Sequence, residues 1–118
     1  MFEITKEYRF SAAHALPTLP KDHKCHRLHG HNYVVTVCCS SDKLDEHGMV
    51  MDFAEIDTAV SSYIRELDHI NLNDRFSFPT TSESLAIWLA ECLDAVGFGG
   101  IRSVSVSETP ATKATYYL

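Results

Sequence analysis

The stretch Cys25-His26-Arg27-Leu28-His29-Gly30-His31 concentrates side chains that bind metals and move protons. His29 and His31 are two residues apart, so on a β-strand both imidazoles face the same side. A thiol stands four residues before the first of them, and a further histidine, His14, lies upstream. Three neutral imidazoles, His14, His29 and His31, with an open fourth position are the ligand set of a catalytic zinc site, where the metal polarises a bound oxygen. Two other readings stand beside it. The strand histidines are hydrogen-bonded core residues, or Cys25 is the fourth ligand of a closed structural zinc. A cupin-type oxygenase site also opens with His-x-His, but it needs a carboxylate a few residues on, and residues 33–39 hold none.

Of the four cysteines, only Cys25 lies among cations, the setting that lowers a thiol pKa. Lys21, Lys24, Arg27 and several histidines crowd residues 21–31 of a chain with net charge −6. That cluster suits either a solvated loop or a pocket for a small anion. The net charge argues against a nucleic-acid partner, which needs a broad basic face. No apolar run approaches the roughly 20 residues that span a bilayer, so no membrane partner is expected. The first six residues lack the basic-then-apolar pattern of a secretory leader, and a cytoplasmic location is expected.

Two further sites carry candidate chemistry. Asp68-His69 follows a helical pattern, where His69 is either a cation at a helix C-terminus or an acid–base group oriented by Asp68. Glu108 ends a strand pattern, as a solvated carboxylate or as a partner for two N–H groups of a guanidine-like heterocycle.

The elements that must position these groups follow from periodicity. With 118 residues, the chain fits one domain, 1–118. Residues 2–10 alternate, with Phe2, Ile4, Tyr8 and Phe10 on one parity, and extension keeps Ala12 and His14 on it. His29 to Cys39 forms the second strand, with His29, His31, Tyr33, Val35 and Val37 on one face. Met49–Met51 is expected as a short third strand. A helix over 53–67 is capped by Asp52, and a second, with Leu85, Trp88, Leu89, Cys92, Leu93 and Val96 on its apolar face, is capped by Thr80 with Glu83. Residues 68–79 form the loop between them. Ile101, Val104 and Val106 mark a later strand, with a weak last one near 114–117. Helices that come together rather than alternating with strands predict an α+β fold, an antiparallel sheet with two helices on one face.

Several motifs in fixed order span nearly the whole chain. They are Phe10-Ser11-Ala12-Ala13-His14, residues 23–31, residues 48–53, Leu67-Asp68-His69-Ile70-Asn71-Leu72-Asn73, residues 79–83 and Ser107-Glu108-Thr109. In this arrangement the chain resembles the 6-pyruvoyl-tetrahydropterin synthase superfamily. The three-residue gap between Cys25 and His29 is most similar to its bacterial 6-carboxy-5,6,7,8-tetrahydropterin synthase branch. Pyruvoyl-type members carry the thiol further upstream, and Cys25 excludes variants with glutamate in its place.

The resemblance implies Zn2+ on His14, His29 and His31, Cys25 as the catalytic thiol, and Asp68 with His69 as a second acid–base relay. It implies that Glu108 anchors a pterin ring, helped by Thr81 and Ser82. It further implies the tunnelling fold, whose protomers assemble into a β-barrel as a trimer or a pair of trimers with active sites between subunits. The implied reaction converts 7,8-dihydroneopterin triphosphate to 6-carboxy-5,6,7,8-tetrahydropterin, acetaldehyde and triphosphate, serving queuosine and other deazapurine synthesis. Lys24 and Arg27 are expected to hold the triphosphate. His26, where a small residue is common, is expected to tune the thiol or contact phosphate. The competing readings are triphosphate elimination without carbon–carbon cleavage, and a non-catalytic pterin- or metal-binding module.

Overall fold

Alternation of apolar and polar residues locks the first two strands into one register. In the computed structural model, which describes residues 1–118, β1 (Phe2–His14) and β2 (His29–Ser41) pair antiparallel along their full lengths. Phe10 stands opposite Tyr33, Ala12 opposite His31 and His14 opposite His29. A slip of one residue would turn Tyr33, Val35 and Val37 away from the core, so burial specifies the register strongly. β3 (Ile101–Ser107) pairs with β2, and β4 (Ala114–Tyr117) with β3, in an antiparallel sheet of order β1-β2-β3-β4.

The helices cover one face of this sheet. α1 (Phe53–Leu67) is capped by Asp52, whose carboxylate accepts the Ala54 N–H at 2.9 Å. It buries Ile56, Val60, Ile64 and Leu67, and α3 (Ser82–Ala95) buries Leu85, Ala86, Leu89, Ala90 and Leu93. These join Phe10, Tyr33, Val35, Val37, Val104 and Val106 in one apolar cluster. The Tyr8 hydroxyl donates to Asp57 at 2.6 Å and ties α1 to β1. The α+β architecture is as the periodicity predicts.

Three expectations are corrected. Met49–Met51 is not a strand. Asp45 Oδ1 accepts the His47 and Met49 N–H groups, and the Asp45 N–H donates to the Met49 carbonyl. Those local bonds use the backbone that a ladder would need. Residues 68–79 are not all loop, because Asn71 caps a one-turn helix, α2 (Leu72–Arg75), whose Leu72 is fully buried. The cap of α3 is Thr81, whose hydroxyl accepts the Ser84 N–H at 3.1 Å. Thr80 is instead wholly buried.

Residues 15–28 return the chain from β1 to β2. Leu16 N–H donates to the Cys25 carbonyl at 2.8 Å, and His26 Nδ1 lies 2.9 Å from the Leu19 carbonyl. His26 thus has a structural partner within its own loop. A short 3-10 turn, Lys24–His26, carries the thiol, and His23 Nδ1 accepts the Cys25 N–H at 3.0 Å.

Candidate metal centre

Strand parity and register bring His14, His29 and His31 to the helix-facing side at the end of the β1–β2 ladder. One ring nitrogen from each lies within 4.8 Å of the others. Small side-chain adjustments would bring all three to the roughly 2.0–2.1 Å at which zinc binds imidazole. The Nε2 atoms of all three are buried and have no hydrogen-bond partner. A buried polar atom left without a partner costs on the order of 1–3 kcal/mol, so three facing one another call for a common one.

The opposite ring nitrogens determine the tautomer. His14 Nδ1 lies 2.8 Å from the Thr80 carbonyl, and His29 Nδ1 lies 2.7 Å from the Arg27 carbonyl. A carbonyl only accepts, so each Nδ1 carries the proton and each Nε2 keeps its lone pair. Burial pushes His14 below the usual histidine pKa, against the Thr80 bond and the Glu108 carboxylate, which raise it. Burial also lowers His31, again opposed by Glu108. Neutral imidazoles are the form that binds a metal. The donor set, its burial and its orphaned atoms all fit a zinc ion with an open position.

Glu108 follows β3 and sets its carboxylate beside the triad, Oε1 3.8 Å from His14 Nε2 and Oε2 3.6 Å from His31 Nε2. Neutral imidazoles make this proximity rather than an ion pair, and both contacts are too long for hydrogen bonds. Cys25, partly buried on its turn, is not among the convergent ligand atoms, so the closed four-ligand arrangement is not formed. Lys24 and Arg27 are exposed on either side of it, and the Lys24 charge contributes to lowering His31.

The Asp68–His69 pair is fastened to the edge of β1. Asp68 Oδ1 accepts the Ser11 N–H at 2.9 Å and lies 2.9 Å from His69 Nδ1. The Ser11 bond, followed by the His69 bond and charge, holds the Asp68 carboxyl below its ordinary range. His69 N–H donates to the Ser11 carbonyl at 2.6 Å, and its imidazole is 81% exposed. Its φ of 61° is the chain's one positive value outside glycine. Asp68 caps α1, so His69 occupies the left-handed position where helices usually place glycine. His69→Gly is therefore expected to raise stability by roughly 0.5–1 kcal/mol, the left-handed penalty less glycine's added chain entropy. Urea denaturation measures it, and a lower midpoint would make the His69 side chain a tertiary anchor.

Two open grooves reach the site. One of about 740 Å³ is lined by His31, Asn32, Glu108, Arg9, Glu7 and Lys113, among others. The other, about 510 Å³, is lined by Ser11, His31, Asn32, His69 and Asn71 among others. Both are lined by His31, which shares one groove with Glu108 and the other with His69. A further groove between α1 and residues 96–99 shares no lining residue with them. Thr81 spends its hydroxyl on Ser84, its N–H on the Pro79 carbonyl and its carbonyl on the Leu85 N–H, which leaves the Ser82 hydroxyl for a ligand. Periodicity did not reveal Thr80, because a threonine before a helix reads first as a cap.

The family model for 6-pyruvoyl tetrahydropterin synthase matches residues 3–118. A Synechocystis protein named 6-carboxy-5,6,7,8-tetrahydropterin synthase is 40% identical, over 99% of this chain and 94% of the relative. A Pyrococcus furiosus protein named dihydroneopterin monophosphate aldolase is 38% identical, over 70% of this chain and 66% of the relative. The solved structure of Caenorhabditis elegans 6-pyruvoyl tetrahydropterin synthase superposes with a TM-score of 0.86 at 32% identity, covering 98% of this chain and 94% of that one.

Proposed function

Because the chain belongs to the 6-pyruvoyl tetrahydropterin synthase family, we propose that it is a zinc-dependent carbon–carbon lyase of the 6-carboxytetrahydropterin synthase type. Its substrate is 7,8-dihydroneopterin triphosphate, and its products are 6-carboxy-5,6,7,8-tetrahydropterin, acetaldehyde and triphosphate. This chemistry fits a place in queuosine and other deazapurine synthesis. The observation that carries the reading is the convergence of three buried, unpartnered Nε2 atoms beside a carboxylate at the meeting of two grooves.

His14, His29 and His31 would hold the zinc, which when bound makes substrate hydroxyls and neighbouring C–H groups more acidic. Cys25, kept off the metal, takes a proton as thiolate. His69 serves as the second acid–base group, with Asp68 fixing its Nδ1 at 2.9 Å. Glu108 accepts two N–H groups of the pterin ring and positions its side chain against the triad, aided by Thr81 and Ser82. Lys24 and Arg27 meet the triphosphate. Arg27→Glu is expected to raise KM several-fold for the triphosphate and leave that for unphosphorylated sepiapterin nearly unchanged. Equal effects on both would remove the phosphate role.

The free edges of the sheet support assembly with further copies. β1 and β4 end the sheet, and only residues 68–71 lie along β1, bridged at Ala13 and Asn71. Open edges and a helix-free face suit closure with copies of the same chain into a barrel, as a trimer or a pair of trimers with shared sites.

Metal dependence tests the reading. The purified protein should contain zinc, consume dihydroneopterin triphosphate, lose that activity to a chelator and regain it with zinc. Consumption that survives complete metal removal would contradict it. Ligand binding with no consumption in any state favours the non-catalytic module. A relative named as a monophosphate aldolase adds a comparison, since a lyase of the proposed type should prefer the triphosphate.

A further inference from the structure

We infer that Asn73 is a positioning residue for His14, acting through Thr80 and the backbone of Ala15. This rests on the metal reading of the imidazole triad. His14 is wholly buried, and its Nδ1 faces two atoms of Thr80, the carbonyl at 2.8 Å and the hydroxyl at 3.2 Å. A hydroxyl both donates and accepts. If it donated to Nδ1, the ring proton would move to Nε2 and occupy the lone pair that a metal needs.

Asn73 opposes that arrangement. Its Oδ1 takes the proton of the Thr80 hydroxyl, 3.3 Å away, so the hydroxyl turns a lone pair toward His14. The orientation of the Asn73 amide is itself determined. Its Oδ1 accepts the Ala15 N–H at 2.9 Å and its Nδ2 donates to the Ala15 carbonyl at 2.9 Å. A flipped amide would set donor against donor and acceptor against acceptor. The same two bonds clamp the chain at the residue that follows His14, where β1 ends and nothing else continues the ladder.

The one-turn helix α2 presents Asn73 for this task. Asn71 caps it by accepting the Asn73 N–H at 3.0 Å, and Leu72 anchors it in the core. A polar residue on a one-turn helix with three side-chain bonds around one metal ligand has more connections than a solvated surface asparagine requires. Partners of this kind typically change metal affinity by about 10- to 100-fold when removed. Asn73 is exposed, and an effect near the low end, about 10-fold, is expected.

The test measures zinc affinity of the metal-free full-length chain by competition with a chromophoric chelator, with Co2+ absorption as a readout of ligand geometry. Asn73→Ala should weaken zinc about tenfold and alter the Co2+ spectrum. Asn73→Asp keeps the acceptor for the Ala15 N–H and the Thr80 hydroxyl but sets an oxygen against the Ala15 carbonyl, and should recover only part of the loss. Thr80→Val removes the hydroxyl but leaves the carbonyl, and its effect should not add to that of Asn73→Ala. A purely structural asparagine would lower the melting temperature of the metal-free chain while leaving affinity and spectrum unchanged, and that result overturns the inference. Should Asn73→Ala fail to fold, Asn73→Asp and Thr80→Val decide by the same readouts. Wild-type protein that binds neither zinc nor Co2+ would overturn both this inference and the metal reading beneath it. Wild-type binding matched by all three variants overturns this inference alone.

Discussion

His29→Ala is expected to weaken zinc binding by about 10²- to 10³-fold or more. Structural zinc sites bind with roughly 10–16 kcal/mol shared over four ligands, so one ligand accounts for about 2.5–4 kcal/mol. His29 is the best of the three for this test. His14 is fully buried and its removal would leave both a cavity and an orphaned Thr80, whereas His29 is half-buried and its Nδ1 partner is a nearby carbonyl. The metal-free variant should be about as stable as the metal-free wild type, because one unsatisfied Nε2 leaves with the ring. A free zinc concentration 100 times Kd stabilises a folded protein by about 2.7 kcal/mol. Zinc should therefore raise the melting temperature of the wild type and leave that of His29→Ala nearly unmoved. A similar rise in both would mean that the ion sits elsewhere.

Cys25→Ala is expected to lower kcat by about 10²- to 10⁴-fold, the range for loss of a positioned proton-transfer group, with zinc content unchanged. The two effects separate because the thiol lies on the 3-10 turn before β2 and is not among the convergent ligand atoms. Its turn is held by backbone and histidine bonds, so truncation at Cβ leaves the local fold intact. Loss of zinc along with turnover would return Cys25 to the metal as a fourth ligand. Unchanged turnover would remove it from the chemistry.

What the sequence made legible was local and periodic. Alternation placed His14, His29 and His31 on the parity of Phe10 and Tyr33, and that parity builds the triad. Helical spacing from Phe53 to Leu67 matched α1 at both ends, since an Asp cap and an apolar stripe are both local. The misreadings came from bonds that periodicity does not encode. Met49 gave its backbone to the Asp45 turn, so a β-prone triplet stayed out of the sheet. Thr80 partners His14 across 66 positions, and that contact exists only after β1 and α3 have packed. Asn73 was visible within a motif, but its task appears only when α2 meets the end of β1. The positive φ of His69 was hidden for a related reason. A histidine in a glycine position is noticed only once the backbone is in view.

The most direct measurement is the identity of the products when the zinc-loaded chain is incubated with 7,8-dihydroneopterin triphosphate. Mass spectrometry should find 6-carboxy-5,6,7,8-tetrahydropterin with acetaldehyde and triphosphate in equal amounts, formed at least about 10²-fold more slowly by Cys25→Ala at matched zinc content. A 6-pyruvoyl product with triphosphate and no acetaldehyde would contradict carbon–carbon cleavage as the reaction of this site.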